Sequence, residues 1–84
     1  MDQTLGYLRE ILSNYTDEHH TGARQLYHKL MKGHYQSEES FVRDLTGSEI
    51  DFLNKILPDE INYAKQEQDE KRLRELNEVY ELLI

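Results

Sequence analysis

An apolar stripe near the end of the chain is the strongest constraint on its fold. Ile61, Ala64, Leu73, Leu76, Val79, Tyr80 and Leu83 recur at three- and four-residue steps with charged residues between them. That spacing gathers the apolar side chains on one face of a helix, and such a face has to find a core or a partner. The expectation is a long amphipathic C-terminal helix from Pro58 to Ile84. Proline inside a helix removes a backbone donor and strikes the carbonyl four residues back, here that of Asn54, at ~3 kcal/mol or more, but it is tolerated in the first turn. Asp59 and Glu60 would then sit where the helix dipole favours acids. A straight helix from Gly47 to Ile84 would span about 57 Å, too long for a compact domain of this size. A start or kink is therefore expected at Leu57–Pro58. The run KQEQDEKR, residues 65–72, has nothing to press into a core, although Glu67–Lys71 and Glu70–Arg74 pairs could hold it helical at roughly 0.2–0.5 kcal/mol each.

The remaining stripes predict partners for that helix. Asp2 can cap a first helix from Gln3 to about Asn14, with Leu5, Leu8, Ile11, Leu12 and Tyr15 on its apolar side and Gly6 weakening it. A second helix should follow Thr16, with an alternative start near Thr21, burying Ala23, Leu26, Tyr27, Leu30 and Met31. It should end at Lys32, with Gly33 as the residue just past the end. Ser37 should cap a short helix through Leu45. Thr46 with Glu49 forms a capping box before Ile50, Phe52, Leu53, Ile56 and Leu57. No stretch alternates as a strand would. The fold expected is all-α: a small bundle of four main helices plus one short helix, with helices 1 and 2 on the long C-terminal helix, forming a single helical domain over residues 1–84.

At 84 residues one core confers only marginal stability, so oligomerisation is open. The chain has no cysteine, which removes disulfides and thiolate metal sites and suits a reducing cytosol. It opens with neither a basic leader nor a long apolar run, so a cytoplasmic, non-membrane protein is expected.

Charge is the most informative surface feature. The net charge is −7, yet residues 19–36 contain Arg24, Lys29, Lys32 and four histidines without a single acid. His20, Arg24, His28 and Lys32 are four apart and make a stripe beside the apolar face of helix 2. That stripe could hold an anionic partner and would gain charge in mild acid; the alternative is a solvated face, or pairing with the chain's own acidic C-terminal helix. His20 and His28 lie too far apart for one metal ion, and no nucleophile–base arrangement or cofactor motif is present. Leu76, Tyr80 and Leu83 make a second candidate, a helix-face interface for a homodimer or protein partner, if the C-terminal end does not dock on helix 1.

The segments TLGYLREILSN, EESFVRDL, FLNKIL, EINYAKQEQD and KRLRELNEVYELLI resemble a family of Bacillus-type sporulation proteins labelled sigma-G-dependent sporulation-specific SASP protein, or CsgA, unrelated to the curli subunit. The resemblance covers nearly the whole chain, is weakest at residues 19–35 and is most specific at ELNEVYELL, residues 75–83. It implies expression in the forespore and a place in the forespore or spore core, and brings no catalytic residues. The expected function is that of a non-enzymatic acidic protein acting through helix-face protein contacts. The alternative is a nucleic-acid-associated spore protein using the basic stripe, which the acidic balance disfavours.

Overall fold

A computed structural model describes residues 3–17 and 21–83. They form five helices: α1 (Gln3–Asp17), α2 (Thr21–Gly33), α3 (Glu38–Arg43), α4 (Gly47–Gln66) and α5 (Glu70–Leu83). The all-α bundle of four main helices and a short one is as the stripes predict, and among the described residues there is no strand. The proposed Asp2 cap, residues Glu18 to His20 and Ile84 lie outside the described residues.

The apolar stripes converge on one core. Leu5, Leu8, Ile11 and Leu12 of α1 meet Ala23, Leu26 and Leu30 of α2, Phe41 of α3, Leu53, Ile56 and Leu57 of α4, and Leu76 and Val79 of α5. α1 packs on α2, and α4 on α5; contacts of α1 and α3 with α5, and of α2 with α4, join the two pairs. The expected seat of α2 on the C-terminal helix is thus corrected: α2 packs chiefly on α1 and α4.

The largest departure from expectation concerns Pro58. It lies inside α4, and the chain turns instead at Glu67–Asp69, so the long C-terminal helix is in fact two helices. Pro58 is exposed, while Leu57 and Ala64 on either side of it are buried and Ile61 packs against the core. Burying such side chains is worth roughly 1.5–3 kcal/mol each for the larger ones, enough to offset the interior proline. The polar run has no such return, and the ion pairs that could have kept it helical are too weak to compete. By turning there, α5 brings Leu76 and Val79 back to the core of a bundle whose longest dimension is 31 Å.

The turn itself closes α4 tightly. Gln68 N–H donates to Lys65 O (3.2 Å) and Asp69 N–H to Ala64 O (3.0 Å), the double bond pattern of a Schellman cap. Gln68 occupies the left-handed position with φ 59°, where a side chain costs more than glycine. Gln68→Gly should therefore raise stability by about 0.5–1 kcal/mol, read as a higher urea midpoint at unchanged slope; a lower midpoint would contradict this cap. Asp69 then starts α5, its Oδ1 accepting from Arg72 N–H at 3.2 Å.

The caps predicted at Ser37 and Thr46 are present. Ser37 and Ser40 exchange side-chain and backbone bonds at the start of α3, and Thr46 and Glu49 do so at the start of α4. The end of α2 differs from expectation. Gly33 is the last helical residue, and His34, with φ 50°, takes the left-handed position. Glycine is needed at 33 for another reason: a Cβ there would stand 2.8 Å from Cδ2 and 2.6 Å from Cζ of Tyr35, and nearer still to Cε2. That ring cannot easily retreat, since it packs edge-on against Phe41 at 5.2 Å and its hydroxyl donates to Asp44 Oδ2. Gly33→Ala should cost about 1–3 kcal/mol, and Tyr35→Ala in the same chain should recover part of that in a double-mutant cycle. Purely additive costs would show that the ring is not the obstacle.

Candidate interaction surface

Helix α2 sorts its polar residues onto two sides. Gln25 and Lys29, one turn apart, turn towards the start of α4. Lys29 Nζ lies 2.6 Å from Glu49 Oε1 and donates to Asp44 O at 2.8 Å, while Gln25 Nε2 donates to Glu49 Oε2 at 3.0 Å. Thr46 N–H completes the set at 2.9 Å from Oε1. Glu49 is only 3 % exposed. Burial by itself would raise its carboxyl, but the bonds from Lys29, Thr46 and Gln25 and the Lys29 charge hold it below its ordinary value. From the sequence, Glu49 is visible only as a capping-box residue; the four-residue spacing of Gln25 and Lys29 is the one hint of its second task.

The other side of α2 faces outward. Arg24, His28 and Lys32 are exposed there, as is Met31 at 38 %, which the apolar stripe had placed in the core. Arg24 also has a contact within its own chain. His28 stacks edge-on to Tyr27 with centroids 6.5 Å apart. His20, the first member of the stripe, lies outside the described residues. The three described members share one face, and Lys29 of the same helix pairs with Glu49 of α4 and not with the C-terminal helix.

The second candidate face is arranged differently. Leu76 is fully buried, and Tyr80 and Leu83 are half-buried against the core, so this stripe belongs to the fold. With Leu76 sealed, the exposed large apolar residue at this end, among the described residues, is Leu82, at 41 %. α5 docks on α1, the arrangement expected of a C-terminal end without a partner, and on α4 and α3 as well.

A cleft of about 190 Å³ lies where α4 meets α5, lined by Glu60, Tyr63, Ala64, Glu67, Asp69 and Arg72. Tyr63 on its wall is 63 % exposed. Arg72 ties the cleft to α1: its Nη2 is 2.9 Å from Glu10 Oε2, and its guanidinium lies 5.1 Å from the Tyr7 ring centroid. Burial raises the Glu60 carboxyl, partly offset by Arg72 and by a hydrogen bond from Tyr15. The Tyr35 phenol is pushed up to about 12, first by its bond to Asp44, then by burial and by the charges of Asp44 and Glu49. These shifts follow from packing and ion pairing between helices. Among the described residues no three His, Asp or Glu are grouped to hold a metal ion, and no helix is long and apolar enough to cross a membrane.

The family model described as CsgA, minor curli fiber component A, matches residues 1–84. The chain is 51 % identical over 84 residues, the full length of both proteins, to the sigma-G-dependent sporulation-specific SASP protein of Bacillus subtilis (strain 168). No solved structure matches it.

Proposed function

The chain belongs to the CsgA family, and from that membership we propose that it is a small acidic sporulation protein of the forespore, without enzymatic activity, that works through contacts of exposed helix faces with other protein. The name of its full-length relative supports the sporulation setting. The outer face of α2 supports the mechanism: Arg24, His28 and Lys32 are exposed on a helix free of acids, with exposed Met31 at the edge of their stripe, in a chain of net charge −7. Cations beside an exposed apolar side chain suit an acidic protein surface.

The fibre wording in the family description does not extend to this chain. Cross-β assembly draws on short extended segments of high β-propensity and low charge, whereas the described residues are helical and the chain is 32 % charged. Coating of nucleic acid has weak support as well, because two lasting cations, Arg24 and Lys32, would neutralise few phosphates.

The test is an affinity capture from sporulating cells at moderate salt, comparing the natural chain with Arg24→Glu/Lys32→Glu and assaying both protein and nucleic acid. A stoichiometric protein lost with the double replacement is the expected result. Recovery of nuclease-sensitive nucleic acid alone would overturn the reading.

A further inference from the structure

We infer that the outer face of α2 docks on the C-terminal end of α5 in a second copy of this chain. The inference rests on the helix-face reading above and names the partner. α2 has no acid in its 13 residues and presents Arg24, His28 and Lys32 outward. From Glu75 onward α5 has the opposite character: Glu75, Glu78 and Glu81 with no base. Glu78 and Glu81 are exposed and stand at the negative end of the helix dipole, where cations are the favoured neighbours and acids are not. That end of α5 therefore carries a negative potential which no residue of its own last turns relieves. Each face also has one exposed large apolar side chain, Met31 on α2 and Leu82 on α5. A contact between them would bury apolar surface beside paired opposite charges, a combination suited to a protein interface.

The two faces are assigned to different copies because of where the helices sit. α2 is held chiefly by α1 and α4, and α5 by α4, α1 and α3, with Lys29 fixing the α2 register on α4. The contact joins unlike surfaces, so it either occurs twice about a two-fold axis in an isologous dimer or, made once per pair, is heterologous and propagates head to tail. Two chains of net charge −7 repel at long range. Salt near 0.1 M, with a screening length of about 10 Å, removes most of that repulsion and leaves contacts of a few ångströms in force.

Sedimentation equilibrium of the full chain at about 0.1 M salt, up to millimolar concentration, tests this. The natural chain should associate, while Arg24→Glu/Lys32→Glu and Glu78→Lys/Glu81→Lys should each associate roughly tenfold more weakly or not at all. An equimolar mixture of the two variants, in which each supplies the face the other complements, should regain the association. The second variant is the sharper one. It makes the chain less negative by four charges, so general repulsion predicts stronger self-association and the docking predicts weaker. All four replaced residues are exposed, and unchanged helical circular dichroism would confirm that both variants remain folded. A natural chain that stays monomeric, an undiminished association in either variant, or a mixture no more associated than its components would overturn the contact. A monomer that still captures a protein through α2 from cell extracts would remove this self-contact and leave the wider reading standing.

Discussion

Leu76→Ala should lower the unfolding free energy by about 3 kcal/mol, within the 2–5 kcal/mol typical of emptying a buried leucine site. Leu76 is fully buried on α5 and shares the core with residues of every other helix. A chain this short has about 5–10 kcal/mol of stability in total, so the loss is a large part of it. Urea unfolding would read the change as a lower midpoint with little change in slope. Leu82→Ala, two turns away and 41 % exposed, should shift the same midpoint by no more than about 0.5 kcal/mol. Equal effects at the two positions would mean that α5 is not seated as described. A charged replacement at Leu76 would do more than alter a surface, because it would bury an unpaired charge. It therefore tests the core and says nothing about a partner.

Removing the amine that ties α2 to α4 should have the next largest effect. Lys29→Met keeps most of the aliphatic stem but leaves the Glu49 carboxylate with Gln25 and the Thr46 N–H as its remaining donors. Breaking a deeply buried ion pair costs about 3–5 kcal/mol. Here the Lys29 side chain is 22 % exposed and two donors stay behind, so about 2 kcal/mol is expected. The pH dependence has a definite sign. Because the folded-state carboxyl titrates below its ordinary value of 4.5, its contribution is present above that value and is lost as pH falls through the folded value. Lys29→Met should flatten that acid limb as well as lower the plateau. An unchanged acid limb would place the source of acid sensitivity elsewhere, and Glu49→Gln in the same background would then identify whether this carboxyl contributes at all.

Much of this architecture is legible in the chain because it depends on neighbours in sequence. The capping boxes at Ser37 and Thr46 need only residues three apart, and the stripes of α1, α2 and α5 follow from helical periodicity. Met31 shows the limit of such a stripe. It lies beside Tyr27 but about 100° from Leu30 on the helical wheel, at the edge of the stripe, and it is left outside where Leu26 and Leu30 are buried. The candidate sites divide in the same way. The four-residue spacing that identifies Arg24, His28 and Lys32 as one face is local, whereas the division of labour that sends Lys29 inward depends on where Glu49 arrives. That carboxylate is twenty residues away in the chain.

The sequence by itself determined the helical class, the caps at Ser37 and Thr46 and most of the apolar stripes, since these follow from backbone geometry and side-chain spacing over a few residues. Only the tertiary structure decided that α4 runs through Pro58 and turns at Gln68, that Gly33 makes room for Tyr35, and that Leu76 is sealed while Leu82 is exposed. At Pro58 and Gln68 a local cost of a few kcal/mol competes with the burial obtained by meeting distant segments, and that second quantity has no value until the helices are packed.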